Sequence, residues 1–393
     1  MLLTLGLAGL PFSGADVGGF FGDPPPDLLV RWYQAAALQP FFRGHAHLDA
    51  PRREPWLAGD PHAGAIREAL RARYRLLPYL YTLFRAANAT GAPIMRPLWW
   101  EFPADAVAPP LDDQFMVGPA ILSAPVLTPA PEDQASKPVQ DRTTTRRVYL
   151  PPTAAWYDAS SGALVSTPGK VGGWADVQAR YVDVPTFYRG GHVLAVRERA
   201  RRSTAAAAKD PLTLIVALDP GGKACGDLYL DDGTSFAFTR GVYAARRICF
   251  EMDVGRGRAG DADLGLGVLT STAAPALAPS DAAVASVPPG GRFTSDVVIG
   301  RVVILGHPSA AAGHQTAKPM HATRTDAAGA GGEAPPVDVA PGPLTLRDGA
   351  PPAVGLVVRK PDLPAAGDWS LAIRPGKASV AAAGGGSKKT ATA

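Results

Sequence analysis

The chain has 393 residues, 46% hydrophobic and 19% charged, enough to bury a core and to build two or three domains of roughly 100–200 residues. A formal net charge of +4, with scattered basic residues apart from Arg197, Arg199, Arg201 and Arg202 and the pair Lys388 and Lys389, leaves no nucleic-acid footprint. No run reaches the roughly 18–20 apolar residues of a membrane span. Two cysteines, Cys225 and Cys249, make neither a disulfide framework nor a metal site. Two free buried thiols are expected, with pairing left open for an oxidising compartment. Gly (43) and Pro (40) are abundant and Asn88 is the only asparagine, a bias that follows a GC-rich genome and carries no functional message.

Residues 2–10 are apolar, but no basic segment precedes them and no small-residue cleavage site follows. They read as an internal helix, not a signal peptide. Residues 11–17 suit a short buried strand. Residues 27–38 carry Leu28, Leu29, Trp32 and Ala36 at helical spacing, with Asp27 placed to cap the start. Residues 40–45 suit a second strand. Residues 63–87 read as one long helix, kinked at Pro78 because proline lacks the amide donor and clashes with the preceding turn. Strand alternating with helix is the grammar of a parallel α/β barrel or doubly wound sheet.

From residue 92 strands dominate, at 94–99, 120–126, 147–150, 181–184 and 193–197, separated by Pro and Gly turns. This reads as an antiparallel β-sandwich. A linker over 198–210 leads to further strands at 212–217, 227–231, 235–239, 246–252, 296–305 and 355–359. Residues 259–291 and 307–353 are Ala/Gly/Pro-rich and read as loop or disorder.

Several strings then carry a resemblance. Phe12-Ser-Gly-Ala-Asp-Val-Gly-Gly-Phe20, Arg31-Trp-Tyr-Gln34, Pro40-Phe-Phe-Arg-Gly-His45, Arg52-Arg-Glu-Pro-Trp56, Arg73-Tyr-Arg-Leu-Leu-Pro-Tyr79, Met95-Arg-Pro-Leu98, Asp112-Asp-Gln-Phe115, Trp156-Tyr-Asp158 and Arg189-Gly-Gly191 follow the order and spacing of glycoside hydrolase family 31. Residues 42–49 with 52–56 resemble the glucosidase II α branch of that family. The resemblance implies a fold: the last part of a (β/α)8 TIM barrel over 1–91, a proximal β-sandwich over 92–198, a distal β-sandwich over 199–376 with Ala/Gly/Pro-rich insertions, and a flexible tail over 377–393. It also implies α-glucosidase action on terminal α-linked glucose of N-glycans in the endoplasmic reticulum lumen. The implied partners are an oligosaccharide and a glucosidase II β subunit in the full-length form, with no cofactor. The chain carries no retention tetrapeptide.

Retaining glycoside hydrolysis needs two carboxyl groups about 5–5.5 Å apart. The family's nucleophile and acid/base strings have no counterpart here, so no catalytic residue is assigned and this chain alone is expected to be inactive. A non-catalytic β-sandwich protein that binds carbohydrate or a partner is the alternative. By resemblance His45 hydrogen-bonds glucose, since imidazole both donates and accepts, against a purely structural histidine. Phe20 walls the same subsite, against plain core packing. Asp16 organises the loop beside the sugar, and Arg43 pairs with a carboxylate, which a structural ion pair also explains. His45, His47 and Asp49 do not match a zinc pattern, and no metal is expected. Gly255-Arg-Gly-Arg-Ala-Gly260 lacks the strand and helix of a dinucleotide fingerprint. Asp231-Asp232-Gly233 reads as a turn, and Asn88-Ala-Thr90 is a glycosylation sequon.

Overall fold

The computed structural model describes residues 1–166, 169, 173–253, 266–274, 291–306, 320–326, 337–344 and 353–375. The expected tail and the Gly255–Gly260 string lie outside them.

The first segment runs α1 (Leu2–Leu7), β1 (Asp16–Val17), α2 (Pro26–Ala36), β2 (Arg43–Gly44), α3 (His62–Arg75) and α4 (Leu77–Thr90). The helix start at Pro26 follows from proline's fixed φ, which suits the first helical turn; no side chain caps it. Asp27, expected as the cap, sits inside the first turn and accepts a hydrogen bond from the Tyr181 hydroxyl at 3.0 Å. Leu29, Val30, Tyr33 and Ala36 form the buried stripe of α2, at the spacing that puts residues on one helix face. They pack on Ala65 and Ile66 of α3 and on Val17 of β1. The long kinked helix is instead two helices broken at Leu76. Pro78 lies in the first turn of α4, where its missing amide donor costs nothing.

The next strands are β3 (Met95–Arg96), β4 (Phe115–Val117), β5 (Ile121–Ser123), β6 (Thr143–Tyr149), β7 (Trp156–Asp158), β8 (Leu164–Ser166), β9 (Trp174–Arg180) and β10 (Thr186–Arg189), with α5 (Leu98–Glu101) between β3 and β4. Six form an antiparallel sheet in the order β3-β4-β5-β10-β7-β8, and β6 pairs with β9 alone. Met116, Leu122, Trp156 and Phe187 of the sheet bury against Val148 and Tyr149 of β6. The strand expected over 94–99 gives way to α5 after Pro97. The one expected over 181–184 is a turn, because the Asp183 carboxylate takes the Arg180 amide and guanidinium, each at 3.0 Å.

After β11 (His192–Val196) and the short helix α6 (Thr204–Ala207) come β12 (Leu212–Ala217), β13 (Lys223–Leu230), β14 (Ala244–Asp253), β15 (Leu266–Ala273), β16 (Val298–Leu305), β17 (Met320–Asp326), β18 (Val337–Leu344), β19 (Ala353–Pro364) and β20 (Trp369–Pro375). A second sandwich was expected; the strands close into a barrel, β11-β12-β16-β19-β18-β17-β20-β15-β14-β13. Strands β15, β17 and β18 fall in stretches read as loop or disorder. The strand expected over 235–239 is a 3₁₀ turn, Ala237–Arg240, reached through a loop in which Asp232 accepts from the Thr234 and Ser235 amides.

Alternation explains how the barrel serves two cores. Val193, Leu214, Val302 and Leu356 point inward, while Leu194, Ile215, Val303 and Val357 point out. The outward set meets Tyr79, Leu80 and Leu83 of α4 and Ile121, Tyr157 and Tyr188 of the six-stranded sheet. The barrel closes where β11 meets β13 in parallel at His192 and Cys225. Gly226 is required there, since a Cβ would lie 1.9 Å from the Val193 carbonyl oxygen. Cys225 and Cys249, expected as free thiols, are directly opposed on β13 and β14 and form a disulfide.

Candidate functional site

Strands β1 and β2 run parallel, Asp16 opposite Arg43 and Val17 opposite Gly44. The return from α2 to β2 is held by Arg73 of α3. Its guanidinium donates to the Ala37, Gln39 and Pro40 carbonyls at 2.9, 2.6 and 2.9 Å. Burial lowers the Arg73 pKa, and these oxygens stand in for a counter-ion.

This frame brings all four candidate residues to one place. Arg43 Nη2 donates to Asp16 Oδ1 at 2.9 Å. The Phe20 ring lies 5.6 Å from the His45 ring, tilted by 35°. Arg43 is 51% exposed, so its pair with Asp16 adds little stability and acts mainly to set geometry. Two more groups join the wall: Phe21, which sequence reasoning left out, and His47, which it weighed only as a metal ligand. His47 lies 5.7 Å from Phe20, and Phe21 lies 5.3 Å from His47. The Phe20–Phe21 pair and the His45-Ala46-His47 string stand in the sequence, but nothing local showed that the two loops meet.

An exposed ring beside an imidazole suits the apolar face and hydroxyl edge of a sugar. Phe20 is 37% exposed, so the packing that would make it a core residue is incomplete. Asp49 adjoins His47: its amide donates to His47 Nδ1 at 3.3 Å, and its carboxylate lies 3.5 Å from the same nitrogen. Among the described residues, no group of three or more His, Cys, Asp or Glu could hold a metal ion.

Beside His45, a recess of about 510 Å³ is lined by Tyr33, Gly44, Arg53 and Glu54. Burial, followed by the Glu54 charge, raises the Tyr33 phenol pKa. A larger cleft of about 1520 Å³ lies between α3, α4 and the β layers. Its lining mixes Arg67, Glu68, Arg180 and Asp183 and contains none of the four candidates, whereas the smaller recess is lined by one of them, His45. Asn88 stands apart on the exposed end of α4, its Oδ1 accepting from Arg85 at 3.0 Å. Among the described residues, no helix is long and apolar enough to cross a membrane.

Comparison with known proteins gives this geometry a family. Residues 1–83 match the glycosyl hydrolases family 31 TIM-barrel domain, and residues 91–194 the glycosyl hydrolase family 31 C-terminal domain. A probable glucan 1,3-alpha-glucosidase of Arabidopsis thaliana is 45% identical over 310 residues, 79% of this chain and 29% of the relative. The Homo sapiens neutral alpha-glucosidase AB is 38% identical over 376 residues, 95% of this chain and 33% of the relative. The crystal structure of a glucosidase II alpha subunit bound to Glc1Man2 superposes with a TM-score of 0.75 at 35% identity, covering 95% of this chain and 36% of that one. A heterodimeric complex of an ER glucosidase II catalytic subunit with the binding domain of its regulatory subunit gives 0.73. The chain thus spans about a third of the length of these relatives, 29% and 33% of the two sequences. Two matched domains and this shared geometry mean that the chain belongs to glycoside hydrolase family 31, as its C-terminal region.

Proposed function

We propose that this chain is the C-terminal region of an α-glucosidase of the glucosidase II type, which removes terminal α-linked glucose from N-glycans in the endoplasmic reticulum. The observation that carries this reading is the pairing of Phe20 and His45 at neighbouring strand ends, 5.6 Å apart and open to solvent. His45 hydrogen-bonds the glucose hydroxyls, Phe20 packs on the sugar face, and the Asp16–Arg43 pair fixes the loop between them. The names of the relatives support the substrate class, and the complex with a regulatory subunit supports a β-subunit partner. The Cys225–Cys249 disulfide and the exposed Asn88 sequon suit a luminal protein, with Asn88 Nδ2 as the attachment point.

Residues 1–393 do not complete the chemistry by themselves. Asp16 is held by Arg43, and retaining hydrolysis needs two carboxyl groups about 5–5.5 Å apart. The purified chain therefore releases no glucose from p-nitrophenyl α-glucoside; release above the rate of a Phe20→Ala, His45→Ala double variant overturns this expected inactivity.

A further inference from the structure

The loop after β1 is tied to the segment after β2 at alternate residues. Asp16 Oδ1 accepts from Arg43, and the Phe20 carbonyl accepts from the His47 amide at 2.8 Å. Between them, the Gly18 carbonyl accepts from Arg53 Nη1 at 2.7 Å. The Arg43 tie is solvent-exposed and the His47 tie is backbone. The Arg53 tie is a charge-assisted bond from a side chain whose Nε and Nη2 are also withdrawn from solvent.

Local packing makes this contact specific. Gly18 and Gly19 both have positive φ, 93° and 80°, so the chain turns sharply between Asp16 and Phe20. A Cβ on Gly18 would lie 3.0 Å from Leu29 Cδ1 and 3.3 Å from Arg53 Cδ. The arginine stem thus packs on the bare glycine backbone while its head takes the carbonyl. Such a turn has few internal bonds of its own; Gly19 donates to the Asp16 carbonyl at 2.9 Å. Its direction is set from outside, and Phe20 is the residue it aims.

We propose that Arg53 is a positioning residue: by holding the Gly18 carbonyl it sets the Phe20 ring against His45 and so fixes the sugar-facing wall. Arg53 reaches the sugar only through Phe20. The two spare donors, Nε and Nη2, have no protein partner among the described residues, and Arg53 is one of the residues that line the recess beside His45. This inference rests on the α-glucosidase reading above and adds a residue to that site.

Inhibition by free glucose tests it, because glucose probes the wall without the chemical step. The natural full-length protein is compared with Arg53→Gln and Arg53→Lys variants, with melting temperature measured beside each inhibition constant. Arg53→Gln weakens glucose inhibition about tenfold, since one buried charge-assisted bond is lost. Arg53→Lys, which keeps the charge and one donor, recovers part of that loss. An unchanged constant in Arg53→Gln overturns the proposal while leaving the α-glucosidase reading intact. Equal losses in both variants that track a fall in melting temperature mark a merely structural arginine and also overturn it. Wild-type protein that glucose does not inhibit removes the site reading, and this proposal with it.

Discussion

His45 and Phe20 carry the account at the scale of single residues. Replacing His45 with Ala removes an imidazole able to donate and accept, and weakens glucose inhibition of the natural protein by about tenfold to a hundredfold. Phe20→Ala loses the ring face and gives a smaller effect of the same sign. Both variants are surface-side truncations, so melting temperature stays within a few degrees. The four candidate residues were proposed from the order of family strings, not from any pattern of charge or hydropathy. Arg53 carried no site reading, and His47 was weighed only as a metal ligand. A single arginine in Arg52-Arg-Glu-Pro-Trp56 gives no hint that its partner is a glycine carbonyl 35 residues earlier.

Among elements, the junction between α5, β3 and β10 is the most exposed to mutation. The Glu101 carboxylate takes Arg96 on one oxygen and Arg189, at 3.0 Å, on the other, with the Glu101 side chain only 13% exposed. Glu101→Ala leaves the largely buried guanidiniums of Arg96 and Arg189 without their anion and costs about 3 kcal/mol, read as a lower urea midpoint with unchanged slope. The β13–β14 pair offers a second test. Its disulfide closes a sequence separation of 24 residues, and Cys225→Ala with Cys249→Ala costs about 3 kcal/mol if the chain-entropy account holds. Equal stability in the presence and absence of reductant would contradict it. Strong apolar runs such as 212–217 were readable as strands to the residue. Short strands were placed but not bounded: β1 and β2 lie inside the expected 11–17 and 40–45 but hold only two residues each, too few for a period to fix their ends. The broken helix at Leu76 also escaped, because a proline signals either a kink or a first turn, and the choice is made by packing.

For the whole molecule, sequence reading found the change from helix–strand alternation to strands but missed the closed barrel. Its closure depends on β12 pairing in parallel with β16, with Leu212 opposite Ile299, and on β15, β17 and β18, which are written in low-complexity sequence. Closure also creates a pH dependence at the seam. His192 lies between the six-stranded sheet and the barrel; its Nδ1 is 3.2 Å from the Gly190 carbonyl, and Arg189 and Glu101 are the charged groups facing it. Burial, then the Arg189 charge, lowers its pKa from 6.5 to about 4. The unfolded chain therefore takes up the proton first. Stability from this group is intact above pH 6.5 and falls as pH drops towards 4. His192→Gln flattens that part of the melting-temperature profile; an unchanged slope between pH 6.5 and 4 removes the explanation.

The central claim is that the Phe20–His45 wall serves an α-glucosidase. Its most direct test is glucose release from an α-1,3-linked glucose disaccharide by the natural full-length protein, with and without His45→Ala. The account predicts release by the wild type and a loss in kcat/KM of about a hundredfold in the variant. No release by the wild type, or equal rates in both, contradicts it.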